Sequence, residues 1–289
     1  MRSSEPSRTS IGTALRRGQH RLGHERPWVL DDPFALLLIG PAWTDMAMAL
    51  QAAGSAELHR QQTAGIVARS RWAEDRAVAG GFEQFVILGA GLDTFAWRRP
   101  DVLGRMTVFE VDHPSTQNWK LERAQLLGLP TNERHRFVSC DFETTSLATA
   151  LQSEGFDTSR RTCFSWLGVV AYLSSAAIDA TLAFVRDCPG SEIALTYPPA
   201  EDELDEVGAE LRRLVLRVAA AGGEPLLTIL TPGAAEELGF RHGLRVIDHP
   251  TRDDMTSRYF ADRRDALRPH TNERCIAFGA QPATPASEQ

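Results

Sequence analysis

Two hydrophobic patterns divide the chain. From Thr13 to Arg71, apolar residues recur every three to four positions in TALRRGQHRL, DDPFALLLI and HRQQTAGIVARSRW, which predicts helices with one buried face. Asp31, Asp32 and Pro33 form a helix start ahead of the FALLLI run. At Phe85 the pattern changes to short apolar runs: Phe85–Gly89, Met106–Asp112, Arg136–Asp141, Thr162–Val169 and Ser191–Tyr197. Runs this short and this apolar read as buried strands. Helical stretches at Ser115–Leu127, Ser146–Gln152, Ser175–Arg186 and Glu201–Ala221 alternate with them, which implies a parallel sheet covered on both faces. A helix at Gly233–Leu238 precedes two last strands, Leu244–His249 and Arg274–Gly279. No long helix is expected between those two, so they are expected to pair antiparallel. The pattern predicts an α/β fold: a doubly wound, mostly parallel seven-stranded sheet with an N-terminal helical cap. A single domain is expected over 11–280, with a helical lid from 11–80 and about 198–225; the polar ends 1–10 and 281–289 are expected to be loose.

Composition narrows the partners. The 289 residues carry 31 basic and 38 acidic side chains, a net charge of −7, which speaks against nucleic acid or an anionic membrane as the partner. No apolar run reaches the roughly 18 residues of a membrane span, and MRSSEPSRTS has no apolar core behind its arginines, so no secretory signal is read. Cys140, Cys163, Cys188 and Cys275 fit no metal spacing and need no disulfide framework. A cytoplasmic protein without a metal, acting on a small molecule, is expected. Lys120 is the only lysine among 31 basic residues; this skew and the abundance of alanine reflect a GC-rich genome.

The candidate chemistry lies at three strand ends. Leu88–Thr94 reads LGAGLDT, where Gly89 permits a tight turn and Gly91 a close backbone approach, with Ala90 and Asp93 completing the loop. The helix that follows would favour an anionic group, but Thr94 stands where a dinucleotide fingerprint has its third glycine. Asp112 follows Gly89 by 23 residues, the place of a ribose-gripping acid, and Glu110 faces the same way along the strand. Two carboxylates there disfavour a 2′-phosphate. Asp141 can accept from an adenine amino group and Phe142 can cover the ring. A plain turn, solvated strand-end acids and a helix N-cap at Asp141 are the structural alternatives. The outline is an adenosine with a charged end, which fits both S-adenosylmethionine and NAD.

Val86–Arg98 (VILGAGLDTFAWR), Val108–Pro114 (VFEVDHP) with Lys120 following, and Val138–Phe142 (VSCDF) resemble the leucine carboxyl methyltransferase-like family. The likeness extends to Asp31–Ala35, Ile66–Trp72, Ser165–Leu173, Gly222–Pro225 and Ser257–Pro269. The resemblance implies a class I methyltransferase-like Rossmann fold, S-adenosyl-L-methionine as cofactor with S-adenosyl-L-homocysteine as product, and no metal. It implies that Arg69 meets the methionine carboxylate, Gly89 makes the turn, Asp112 binds the ribose, Asp141 and Phe142 flank the adenine, and Lys120 supports the loop. Lysine kept in a chain otherwise without it points to a place arginine would not fit. Where the family has glutamate-glycine after the fourth strand, this chain has Leu167-Gly168. That departure favours the bacterial small-molecule branch over the phosphatase-type reaction.

Methyl transfer from a sulfonium needs alignment and exclusion of water. A carboxylate acceptor needs no base, whereas a hydroxyl does. No base is evident; Tyr172, Tyr197, His113 and Glu224 are the weak candidates, and Trp166, Tyr172, Tyr197, Arg258 and Tyr259 the substrate-side candidates. Core aromatics, surface loops or turn residues would account equally for these positions. Three functions stay open: an S-adenosylmethionine-dependent O-methyltransferase acting on a carboxylate or hydroxyl of a small molecule such as a secondary metabolite; an NAD-dependent oxidoreductase, disfavoured by Thr94 and by the absence of a Tyr-x-x-x-Lys pattern; and a non-catalytic cofactor-binding protein.

Overall fold

The computed structural model describes residues 7–222 and 225–281. Seven strands form one sheet: β1 (Gln84–Leu88), β2 (Thr107–Asp112), β3 (His135–Ser139), β4 (Thr162–Trp166), β5 (Glu192–Tyr197), β6 (Arg245–Asp248) and β7 (Arg274–Gly279). Their order is β3-β2-β1-β4-β5-β7-β6. The pairs β1·β2, β2·β3, β1·β4 and β4·β5 are parallel, while β7 runs antiparallel to both β5 and β6. The expected mostly parallel seven-stranded architecture is therefore the observed one. Chain order reverses between β1 and β4, and in open α/β sheets the crevice beyond the strands' carboxyl ends at that point is where ligands bind.

Period-two alternation sorts the core onto two faces. Val86, Leu88, Phe109, Val111, Phe164, Trp166, Ile193, Leu195 and Phe278 share one apolar cluster. Phe85, Ile87, Val108 and Cys163 point to the other face, and so do Ala194 and Ala277. The first face is covered by α8 (Leu147–Ser153), α9 (Ser175–Arg186) and α11 (Pro232–Arg241), numbered along the chain after α1 (Arg8–Gly23), α2 (Ala35–Ile39), α3 (Trp43–Gln51), α4 (Ala56–Ala79), α5 (Phe95–Arg98), α6 (Pro100–Leu103) and α7 (Pro114–Leu126). Helix α10 (Glu206–Gly222) packs on α4 through Leu211, Leu214 and Leu58.

Three expectations are corrected here. Residues 8–10, read as part of a loose end, form the first turn of α1. The helix expected from Glu201 divides into a single 3-10 turn, Glu201–Glu203, and α10. A helix, α12 (Arg252–Phe260), occupies what reads as loop; Thr251 and Asp254 exchange hydrogen bonds as a capping box, which starts it. None of the helices among the described residues is long and apolar enough to cross a membrane.

A buried polar network joins the N-terminal cap to the β1 turn. One oxygen of Asp32 accepts from the amides of Phe34 and Ala35 at 3.1 and 3.0 Å, which caps α2. The other accepts from Arg17 Nε and Thr94 Oγ1, both at 2.8 Å. Arg98 donates to Thr94 at 2.8 Å and pairs with Glu74. Burial raises the Asp32 pKa, but Arg17 and Arg98 outweigh it and hold the carboxyl below the ordinary aspartate value.

Candidate active site

A cavity of about 290 Å³ opens at the carboxyl ends of β1 to β4. Its walls come from Ser7, Ser10 and Thr13 at the start of α1, from the 88–93 loop, and from Asp112, Asp141, Phe142 and Gly168. Gly89 and Gly91 have φ of 67° and 53°, the left-handed region that other residues enter at a cost. Space excludes a side chain too: a Cβ on Gly89 would stand 2.3 Å from Val169 Cγ2, and one on Gly91 2.8 Å from Ser10 Cβ. The amides of Gly89 and Ala90 both donate to Val111 O, at 2.8 and 3.0 Å, tying the turn to β2.

Asp112 stands at the end of β2 with each oxygen already engaged. Oδ2 accepts from the Gly91 amide and Oδ1 from the His113 amide at 2.6 Å. Burial raises its pKa and these two bonds oppose the rise. Each oxygen keeps a further lone pair for a ligand hydroxyl. His113 lines the cavity, but its ring is turned to Ser115, whose amide donates to Nδ1 at 3.3 Å, so it caps α7.

The turn differs from the expected anion cradle. Helix α5 is a single turn of four residues, too short to present an aligned macrodipole. The Asp93 carboxylate accepts from the Phe95 amide at 2.7 Å, so an anionic side chain already holds that helix start. Thr94, in the place of a third glycine, is fully buried and locked between Asp32 and Arg98.

Arg69 enters from α4. Its Nη1 donates to both oxygens of Glu273, at 2.5 and 2.6 Å, while Nε is buried without a partner. Glu273 also accepts from Thr196 Oγ1 at 2.7 Å, and Thr196 in turn accepts from the Gly168 amide at 2.7 Å. A Cβ on Gly168 would lie 2.9 Å from the guanidinium. The acid missing at Leu167 therefore has a counterpart beside the same loop, but it comes from just before β7. Burial would lift the Glu273 carboxyl; Arg69 holds it below the usual value.

Of the residues expected at the cofactor, Arg69, Gly89, Ala90, Gly91, Asp93, Asp112, Asp141, Phe142 and Leu167 line this one cavity, and so does Tyr172. Asp141 Oδ1 also accepts from the Glu143 amide at 3.0 Å, so it shapes its own turn. Glu110 is a correction. It is not among the lining residues but is buried under α7, where it pairs with Lys120 and accepts from His135 at 2.8 Å. Lys120 accordingly braces β2 and not the glycine loop, its ammonium 5.2 Å from the Trp97 ring centroid.

The structure does not bring the other substrate-side candidates to the cavity. Trp166 is fully buried in the core. Tyr197 is buried too, its hydroxyl 2.8 Å from His249 Nε2, and His249 Nδ1 lies 2.9 Å from Glu236. Arg258, on α12, pairs with Asp248 at the end of β6, and Tyr259 packs in the cluster under β7. Glu224 lies outside the described residues. Sequence reading missed Arg17, Glu273 and His270. Arg17 sits one helical turn from Thr13, which lines the cavity, but Glu273 and His270 precede β7 with no motif to mark them. No group of three or more metal-ligating side chains exists among the described residues.

The family model for leucine carboxyl methyltransferase matches residues 10–186, a span that includes Arg69 and every strand end lining the cavity. YktD of Bacillus subtilis, provisionally named an S-adenosyl-L-methionine-dependent methyltransferase, is 36% identical over 192 residues, 65% of this chain and 62% of its own length. A Mycolicibacterium paratuberculosis protein with the same provisional name is 32% identical over 229 residues, 74% of this chain and 72% of its own. Among solved structures, a Thermobifida fusca protein provisionally named a methyltransferase superposes with a TM-score of 0.62 at 19% identity, covering 98% of this chain and 97% of that one. With the family model covering more than half of the residues and the fold matching end to end, this chain belongs to the leucine carboxyl methyltransferase family.

Proposed function

We propose that the protein is an S-adenosylmethionine-dependent methyltransferase that methylates an oxygen, of a carboxylate or a hydroxyl, on a small molecule. The observation that carries this reading is the convergence of Asp112, Asp141, Phe142 and Arg69 on one cavity at the switch point of the sheet. The bound cofactor supplies an electrophilic methyl on a sulfonium, which leaves as a neutral thioether. Asp112 accepts from the ribose hydroxyls, Asp141 and Phe142 flank the adenine, and Arg69 meets the methionine carboxylate. The glycine turn lets the backbone close on the ligand, and the α1 start shields it from water. The names of the relatives support the same cofactor. An oxidoreductase fits less well, because Asp93 and the one-turn α5 leave no free helix terminus for a pyrophosphate. The four cysteines are free and buried, in keeping with a reducing compartment such as the cytoplasm.

The test is release of S-adenosylhomocysteine when protein and S-adenosylmethionine meet a panel of small hydroxyl and carboxyl compounds. Turnover with at least one acceptor, with the methyl recovered on oxygen, is expected. Cofactor binding without turnover on any member would make this a non-catalytic binding protein.

A further inference from the structure

A second cavity, of about 240 Å³, lies beside the first and shares Arg69 and no other lining residue with it. Its remaining wall comes from Gly65 and Ala68 on α4, from Glu203, from Pro250 and Thr251 with the first turn of α12, and from the 269–275 segment that enters β7. Gly65 and Arg69 are four residues apart on one helix, so they stack on one face about 6 Å apart. The two cavities therefore adjoin across the Arg69–Glu273 pair.

His270 lines this second cavity. It is 6% exposed, and its Nδ1 is buried without a partner. Leaving a buried imidazole nitrogen unmet is costly, and most buried polar groups have partners. The ring has room only because residue 65 is glycine: a Cβ there would stand 2.6 Å from His270 Nε2. Burial pushes the His270 pKa down to about 4, with Glu273 opposing, so the ring enters neutral solution uncharged. The surrounding charges are already matched. Arg69 pairs with Glu273, Arg252 with Asp205 at 2.5 Å and Arg274 with Glu203 at 2.8 Å. Each arginine of this wall thus has a carboxylate partner, while Nε of Arg69 and Nε of Arg274 are buried without an acceptor.

We propose that the second cavity holds the methyl acceptor, and that the acceptor is a hydroxyl compound, a phenol or alcohol, whose O–H donates to the imidazole of His270. This rests on the methyltransferase reading above. A carboxylate acceptor would want an unpaired cation and no base, whereas a hydroxyl wants a neutral hydrogen-bond acceptor. In the transfer, the acceptor oxygen forms a bond to the methyl carbon, the carbon–sulfur bond breaks with its electron pair going to sulfur, and the hydroxyl proton passes to a His270 nitrogen. An ether, a thioether and an imidazolium result, and the imidazolium returns its proton to solvent.

The test uses the full chain, labelled with ¹⁵N-histidine and saturated with S-adenosylhomocysteine, titrated with phenol and separately with benzoate. The His270 ring signals are identified by their loss in His270→Gln. Phenol is expected to shift those signals and benzoate to leave them in place. His270→Gln is expected to weaken phenol binding about fivefold or more, the scale of one hydrogen bond, while S-adenosylhomocysteine affinity stays unchanged; His270→Asn serves if the Gln variant does not fold. His270 signals unmoved by phenol, or moved as much by benzoate, would overturn the proposal, as would undiminished phenol binding by the folded variant. Failure of S-adenosylhomocysteine to bind at the first step would instead sink the methyltransferase reading, and this proposal with it.

Discussion

Asp112 is positioned by two backbone amides, from Gly91 and His113, so its carboxylate presents a fixed pair of acceptors to a diol. Replacing it with alanine is expected to weaken S-adenosylhomocysteine binding by about tenfold or more, since hydrogen bonds to a charged group contribute about 1.5–3 kcal/mol. Unchanged affinity would place the ribose elsewhere. Arg69→Ala is expected to reduce binding of S-adenosylhomocysteine more than binding of adenosine, and equal losses would remove Arg69 from the amino-acid end. At this scale the sequence was legible where a residue follows directly from a strand end, as Asp112 and Asp141 do. It was not legible for Glu110, because period two gives the face of a strand and not the depth. Two residues before the strand end, that face is roofed by α7, and the carboxylate meets Lys120 instead of ligand.

Elements are joined here by buried charge. Asp32 links α1, α2 and the loop before α5 through Arg17 and Thr94. Asp32→Ala would leave Arg17 buried without its partner and is expected to lower unfolding free energy by about 3 kcal/mol, read as a shifted urea midpoint. A loss under about 1 kcal/mol would mean that the cap is held by its apolar contacts alone. Lys120→Ala leaves the buried Glu110 with His135 as its one side-chain partner and is expected to cost about 3 kcal/mol while the folded protein keeps its cofactor affinity. A selective loss of affinity would return Lys120 to the loop. The strands were legible as elements because their short apolar runs are covered on both faces. Helix α12 was missed because its apolar residues are few; its Thr251–Asp254 capping box was the available signal. Thr94 was legible only as a missing glycine, since its partner Asp32 lies 62 positions earlier.

The whole molecule carries buried histidines that are neutral at rest at pH 7. His20 accepts from the Val29 amide at 3.1 Å through Nε2, a bond that protonation destroys, and burial lowers its pKa to about 3. His270 is lowered to about 4 by burial. Below the ordinary histidine value of about 6.5 the unfolded chain binds protons that the folded one refuses. Stability is therefore full above pH 6.5 and falls as pH drops toward 4, by about 1 kcal/mol per pH unit for each such histidine. A urea midpoint unchanged between pH 7 and pH 5 would contradict this. The topology was legible from the alternation of strands and helices, and the antiparallel end from the want of a long last helix. The second cavity was not, because Gly65, Glu203, Arg252 and His270 meet only once β6 and β7 are folded beside β5.

The most direct measurement is calorimetric titration of the purified protein with S-adenosylhomocysteine, with NAD as the control. Micromolar binding of the first and none of the second is expected from a cavity lined by the Asp112 carboxylate and whose helix terminus is already taken by Asp93. Binding of NAD, or of neither ligand, would contradict the account.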